Sequence, residues 1–359
     1  MQPIVKLVYD NQNCNFVLPK EVLPEGRDKS FDHQFLGTNI ENLCELSGRL
    51  CYDSVNQEKT RNTHDYFNHI LEVNHTSILE HVNLTFEVIG KDYYGLSCLN
   101  RPGVNCKLVW NEGKDCFMWR ITANLRSILE WKKHNNSYSN ILWENIEHKA
   151  KQLAPIIFKN SKVKLDYYPC VEIVRPKDED EIWISFFISG VSRALSHELI
   201  RHKYGTAVSQ RSTRYVDESE SQWVWHPLII KYLTEDLDTR QCDFLGCKYN
   251  CQHVYKDCVN SIVEKLINVG VDKFTARKQA RGAARGILGN ALSTEMIFSA
   301  SLKQWSHIIL MRANEGADGE IRILLNKVYN ILRERFPKHF VGFSTKQCKD
   351  GIGFQVNNK

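Results

Sequence analysis

A chain of 359 residues, 42% hydrophobic and 25% charged, has enough apolar surface for a sizeable core and is not a disordered chain. The 47 Lys+Arg against 42 Asp+Glu leave a net charge of +5, which tolerates anionic ligands but does not indicate nucleic acid. No run of about 18 apolar residues supplies a membrane span and no apolar stretch follows Met1 as a secretory signal. The 12 cysteines are too sparse for a disulfide scaffold, so the expectation is reduced thiols and a cytoplasmic location.

In chain order, residues 40–52 and 61–73 carry apolar groups at helical spacing. Residues 82–90 alternate, with Val82, Leu84, Phe86 and Val88 on one face of a strand. Segment 91–181 begins loop-rich (91–106), then reads as a strand running into a helix (117–133), a helix (139–154) and a charged loop (174–181). It separates two segments that belong together and is read as an insertion within a single domain spanning 1–359. Residues 181–190 form a buried strand leading into a helix over 191–203. There Val191, Leu195 and Leu199 make an apolar stripe beside the polar stripe Arg193, His197, Arg201. Further helices are expected over 253–268, from a Thr275 cap to about Leu288, over 302–313, and over 318–335, the last closed by Pro337.

The chemistry concentrates in RHKYGTAVSQRSTRYV (201–216). Five cationic or imidazole groups alternate with short polar side chains, a composition suited to a phosphorylated ligand, since Arg forks clamp phosphate oxygens and hydroxyls complete them. A solvated basic loop is the alternative. Arg277, Arg281 and Arg285 form a second stripe at i, i+4, i+8. Arg312 ends the helix that contains His307. Metal is not expected: His75 and His81 are six apart and cannot face one way on a helix, and Cys242, Cys247, Cys251 and Cys258 match no common metal spacing. GAARGILG (282–289) lies in a helix with no strand before it, so it is no dinucleotide loop, and neither a Walker loop nor G-x-S-x-G occurs.

The stretch RHK, eight residues, Ser-x-Arg-Tyr resembles the signature of the flavin-dependent thymidylate synthases, which reads Arg-His-Arg, seven residues, Ser, then Arg-Tyr. SGRLCYDS (47–54), HTSILEH (75–81), GVSRALSHELIRHK (190–203), the stretch 276–312 and ADGEIR (317–322) resemble other family segments in the same order. The resemblance implies an α/β fold of α+β type, with a twisted, largely antiparallel sheet core, flanking helices and here an inserted subdomain. It implies methylation of dUMP to dTMP, with 5,10-methylenetetrahydrofolate as carbon donor and NADPH-reduced FAD as hydride source, in a homotetramer with shared active sites and no nucleic-acid or membrane partner. Carried over by residue, dUMP falls on Glu198, Leu199, Ile200, Arg201, Gln210, Arg211, Ser212, Thr213, Arg214, Arg285 and Arg312. Arg312 favours ionisation of the pyrimidine, and Ser212 positions the substrate. FAD falls on His75, Ser77, Arg201, His202, Lys203, Gln210, Ser301, Leu302, Lys303 and His307.

Four departures stand out: Lys203 in place of Arg, one extra spacer residue near Gly205, Ser301-Leu302-Lys303 in place of Asn-x-Arg, and the insertion. Within the insertion, RITANLRSILEW (120–131) itself resembles the Thr-x-Asn-x-Arg segment. Asn124 and Arg126 are therefore candidates for the missing flavin contacts, against an ordinary helix start. Two rival readings are a relative that binds nucleotide without turnover and a nucleic-acid module built on the basic stripes.

Overall fold

The computed structural model describes residues 2–22, 34–55, 60–90, 103–111, 117–131, 137–160, 170–233 and 237–358. The fold is mixed α/β, with antiparallel sheets and flanking helices. Five strands, β1 (Ile4–Asp10), β2 (Asn15–Phe16), β7 (Trp183–Ser192), β8 (Thr206–Gln210) and β9 (Ser293–Ser301), form one sheet in the order β2-β1-β7-β9-β8. Four more, β3 (Asn83–Gly90), β4 (Val104–Asn111), β5 (Phe117–Asn124) and β6 (Cys170–Val174), form a second in the order β4-β5-β3-β6. A hairpin of β10 (Phe343–Gln347) and β11 (Phe354–Asn358) completes the strands.

Every residue of β7 is buried, as expected of a strand covered on both faces. Period-two alternation divides its side chains and those of β9 between two cores. Phe187 and Ile297 join a core containing α1 (Asn39–Cys51), α2 (Thr63–Glu72), β3, β5, α3 (Leu125–Leu129) and α4 (Ser137–Leu153). Ile184, Phe186, Met296 and Phe298 join a second, with α5 (Arg193–Leu199), α9 (Leu302–Arg312) and α10 (Gly319–Arg335). The remaining helices are α6 (Pro227–Leu233), α7 (Leu237–Asn268) and α8 (Lys273–Ala284), where Tyr255 and Val259 of α7 pack on Ala280 and Ala284 of α8. Among the described residues no helix is long and apolar enough to cross a membrane.

Several expectations are revised. Val191 is the penultimate residue of β7, and the following helix runs only over Arg193–Leu199, because the Ser192 side chain caps it by accepting from Leu195 N–H. Arg201 therefore lies beyond the helix end. The helix expected over 253–268 starts at Leu237. The cap of α8 is Asp272 rather than Thr275: its carboxylate accepts from both Phe274 and Thr275 N–H, satisfying two of the free donors at a helix start. That helix ends at Ala284 and passes into a 3₁₀ turn at Arg285–Ile287. The signature stretch is not all loop, since 206–210 is strand β8, paired along β9. Cys242 lies in α7, but its side chain is outside the described residues.

Two buried polar connections join 104–174 to the rest. Arg120 of β5 reaches Glu181 with Nε at 2.7 Å and Nη2 at 2.6 Å, and Glu87 of β3 at 2.5 Å. Glu41, fully buried in α1, accepts from the N–H groups of Ile156 (2.6 Å) and Ile157 (3.2 Å), while the Thr38 hydroxyl donates to Leu153 O at 2.7 Å. Arg120 and Glu181 are both at least 95% buried, so removing one partner strands the other's charge. Arg120→Ala is expected to lower unfolding stability by about 3–5 kcal/mol, read as a shift of the urea midpoint at constant slope.

Candidate functional site

The site is built where two strands end and helices begin. Antiparallel pairing of β8 with β9 sets Ser209 opposite Ile297 and Gln210 opposite Met296. Behind them, His81 ends the 3₁₀ turn Thr76–His81. Its Nδ1 lies 2.7 Å from Ser299 Oγ and its Nε2 2.9 Å from Ser209 Oγ, and Ser299 Oγ donates to Ser185 Oγ at 2.6 Å. Burial pushes this imidazole down to about 3, so it is neutral and holds both strands by hydrogen bonds alone. Gln210 is held in turn, its amide donating to Ser196 Oγ (2.9 Å) and Thr294 Oγ1 (3.1 Å).

Beyond the helix end, the chain turns through Gly205 at φ +60°, a left-handed conformation that costs glycine little. Here α5 and α9 bring three expected residues together. Arg312 donates from Nε to His202 Nε2 at 3.1 Å and from Nη1 to Glu198 Oε2 at 3.2 Å. An accepting Nε2 requires the His202 proton on Nδ1, the neutral form. Burial, and after it the Arg312 charge, shift His202 below the usual imidazole value. Burial, followed by Asp318, raises the Glu198 carboxyl. The His307 ring lies 6.4 Å from that of His202.

The rest of the signature faces α1 and α8. Ser212 N–H donates to Cys51 O at 3.0 Å, Ser212 Oγ accepts from Arg214 N–H at 3.3 Å, and Thr213 is buried. Arg211 lies 3.6 Å from the fully buried Glu218 and 3.7 Å from Asp53. Arg281 is held by Tyr215 O (2.6 Å) and Asp217 (3.1 Å), so it is not a solvated stripe residue. Arg193, from the polar stripe of α5, donates to Arg211 O at 2.7 Å. Burial lowers its guanidinium first, Glu218 opposes that, and Arg211 and Arg285 add to the lowering. Arg211 and Arg285 thus both repel Arg193. Arg201, Arg214 and Arg285 have no carboxylate within ion-pair distance among the described residues. A cluster in which cations outnumber their carboxylate partners favours an anion.

Two cavities of ligand size open beside these residues. One, about 840 Å³, is lined by Lys203, Tyr204, Gly205, Thr206, Trp183 and Ser301, together with residues of β4, β5 and α3. The other, about 900 Å³, is lined by Tyr52, Tyr66, His69, His75, Tyr215 and Lys278 among others. His75 Nδ1 is 3.4 Å from Tyr52 Oη, and Tyr52 and Tyr215 rings stand 4.6 Å apart. The residues expected around the flavin are therefore divided: Lys203 and Ser301 line the first cavity, His75 the second. Ser77 and His307 are exposed, while Leu199 and Leu302 belong to the apolar core. Leu302 N–H is taken by Ile182 O at 2.8 Å, and Lys303 Nζ is 3.1 Å from Asp180. Ile200 is 37% exposed. Among the described residues no group of three His, Cys, Asp or Glu side chains is placed to hold a metal. Nothing in the motif spacing marks Tyr52, Tyr215, Lys278, Arg193 or Trp183 as site residues. The two tyrosines lie in 47–54 and 201–216, but only the fold gives them a common cavity.

Fold and site together define a mixed α/β protein that carries, among the described residues, arginines without carboxylate partners and cavities of ligand size. The chain belongs to the thymidylate synthase complementing protein family, whose pattern matches residues 35–95 and 181–338, more than half of it. It is 36% identical over 165 residues to the flavin-dependent thymidylate synthase of Corynebacterium diphtheriae, covering 46% of this chain and 63% of that one. It is 36% identical over 168 residues to the enzyme of the same name from Mycolicibacterium gilvum, covering 47% and 64%. The chain thus spans a little under two thirds of the length of these relatives. Thymidylate synthase X of Helicobacter pylori, solved with FAD and dUMP, aligns at a TM-score of 0.28 and 15% identity over 42% of this chain and 67% of that one, an overlap too loose to place any residue.

The His81 imidazole gives a pH prediction. An unfolded chain protonates it near its ordinary value of 6.5, the folded chain only near 3. The folded state therefore binds fewer protons between those values, and stability is lost as pH falls through that window. In urea titrations from pH 7 to 4, the stability advantage of the wild type over His81→Gln is expected to shrink by up to about 1.4 kcal/mol per pH unit below 6.5.

Proposed function

We propose that this chain methylates dUMP to dTMP, taking carbon from 5,10-methylenetetrahydrofolate and reducing equivalents from NADPH, with FAD as its cofactor. The observations that support the reading are the meeting of Arg312 with Glu198 and His202, residues up to 114 positions apart, and the cationic grouping of Arg193 with Arg211 and Arg285. Arg214 and Arg285, with the Ser212 and Thr213 hydroxyls, bind the nucleotide phosphate, since charge-assisted bonds to phosphate are the strong ones. Arg312 sets a guanidinium against the negative charge that develops on the pyrimidine, a stabilisation that moves no proton on the protein. Glu198 and neutral His202 orient that guanidinium.

The residues present fit the flavin by their donor chemistry. Lys203 lines the first cavity beside Thr206 and Ser301 and has no carboxylate partner among the described residues. Lys203, Arg201, Thr206 and Ser301 would hold it, and when bound it supplies the hydride that completes the methyl group. In this reading the protein is a cytoplasmic homotetramer with active sites shared between subunits, and one domain carries the inserted segment.

The test is a visible absorption spectrum of the purified protein with added FAD, followed by dUMP titration and turnover with the folate and NADPH. A flavin spectrum that shifts with dUMP, together with folate-dependent dTMP formation, supports the reading. A protein that binds dUMP and forms no dTMP under these conditions overturns it in favour of a non-catalytic relative. Arg312→Ala is expected to lower kcat/KM for dUMP by about 10²–10³, measured in steady state. Arg285→Ala is expected to weaken dUMP binding about 10–100-fold, measured by calorimetry.

A further inference from the structure

We infer that the cavity between α1, α2 and α8 receives the glutamate end of the folate co-substrate, and that the basic face of α8 continuing from it binds the further carboxylates of a polyglutamylated tail through Lys278, Arg277 and Lys273. The inference rests on the functional reading above and deepens it, because that reading places dUMP and the flavin but gives the carbon donor no site.

This cavity, of about 900 Å³, has a one-sided lining. Tyr52, Tyr66, Tyr215 and Phe274 supply rings, Arg61 and Lys278 supply charge, and no Asp or Glu lines it among the described residues. Arg49 reaches it too, but that guanidinium is committed to the buried Glu45, with Nε at 2.7 Å. The first cavity is different, since Glu80, Glu130 and Asp180 line it together with Lys203. An aromatic cavity whose charged lining is all positive suits a flat ligand that carries carboxylates.

The cavity also lies where a carbon donor has to meet dUMP. Tyr215 directly follows Arg214, and Tyr52 follows Cys51, whose carbonyl accepts from Ser212 N–H at 3.0 Å. Arg214 rests against α8: a Cβ at Gly282 would stand 3.8 Å from its Nε. Lys278 is one turn before Gly282 on the same helix face. Its ammonium lies 5.1 Å from the centre of the Tyr215 ring. The arginine assigned to the phosphate and the lysine assigned to the tail therefore flank one tyrosine. The reductant needs contact only with the flavin, whereas the carbon donor must lie beside the pyrimidine when the new carbon–carbon bond forms. That difference favours the folate as occupant.

Helix α8 supplies the second, independent observation. From Lys273 to Arg285 the chain reads KFTARKQARGAAR, with five cations and no acid. The carboxylate that precedes it, Asp272, is taken by the helix cap. Arg281 is neutralised within the fold by Tyr215 O and Asp217. Arg277 and Lys273 stand one and two turns before it on the same face, and both are exposed. Neither they nor Lys278 has a carboxylate within ion-pair distance among the described residues. An ordinary solvated face intersperses both signs, whereas this one is cationic throughout and begins at the mouth of the cavity, where Phe274 is 69% exposed. A polyglutamate tail is a row of carboxylates, and cations one turn apart, about 6 Å along the axis, complement such a row.

The test is equilibrium binding of tetrahydropteroyl mono- and pentaglutamate to the full chain with FAD and dUMP present, measured by calorimetry without oxygen. KM for NADPH and melting temperature are measured alongside. The wild type is expected to bind the pentaglutamate about three- to tenfold more tightly than the monoglutamate, in line with two exposed ion pairs, and raised salt is expected to shrink the difference. Lys273→Gln combined with Arg277→Gln is expected to bring the pentaglutamate down to the monoglutamate affinity. Arg277→Lys is expected to keep the preference, and Lys278→Gln to weaken both forms. If the double variant melts early, Arg277→Gln alone is read in its place. Equal affinity for the two forms in the wild type, or a preference that survives the double variant, overturns the inference and leaves the functional reading intact. A raised NADPH KM with unchanged folate affinity in Lys278→Gln also overturns it and gives the cavity to the reductant. A wild-type chain that binds neither folate and forms no dTMP overturns the functional reading, and the inference with it.

Discussion

The neutral imidazole of His81, held between Ser209 and Ser299, is the interaction on which the site's geometry depends. It belongs to a short turn that precedes β3, yet it bonds to two strands of the other sheet. Those strands carry the signature on one side and the Ser301 junction on the other. Each ring nitrogen needs a hydroxyl that can donate or accept to suit, and serine at both places supplies it. A charged imidazole with no carboxylate nearby would be expensive here, which is why burial depresses it so far.

Around that fixed point the protein handles its arginines in two ways. Some are neutralised within the fold: Arg120 by Glu181 and Glu87, Arg322 by Asp350, Arg49 by Glu45. Their carboxylates accept at short distances, and the charges are spent on structure. Others are left with an unbalanced neighbourhood. Arg193 has its strongest opposing charge in Glu218, which Arg211 also claims, and Arg285 adds repulsion. Buried paired charges give little net stability, so the first group serves to fix strand ends and loops. The second group carries an electrostatic cost that a bound anion would relieve.

The sequence made the periodic elements legible. Residues 40–52, 139–154, 302–313 and 318–335 read as helices because their apolar faces repeat cleanly, and Val82 to Val88 alternated as a buried strand face does. Strands β8 and β9 were not legible. In β8 the alternation is only five residues long and is crossed by Thr206, Ser209 and Gln210, which read as turn chemistry. In β9 the run Ser293–Ser301 has few of the turn signals that mark a strand, and only pairing with β7 settles it. The cap at Asp272 lost to Thr275 on paper because both residue types cap helices. At the site, the signature residues announced themselves through charge and hydroxyl content. Trp183, Tyr52 and Lys278 did not, since an aromatic or a lone lysine acquires meaning only when a distant strand or helix closes a cavity around it.

The clasp between α1 and α4 ties two distant parts of the chain to each other's composition. Thr38 and Glu41 begin one helix and at the same time satisfy the backbone at and just past the end of another, 115 residues away. A deletion that removed the Ile156 and Ile157 N–H groups would leave the buried Glu41 carboxylate without those two donors. A change at position 41 would in turn orphan the same two N–H groups, so each end of the clasp constrains what the other can become.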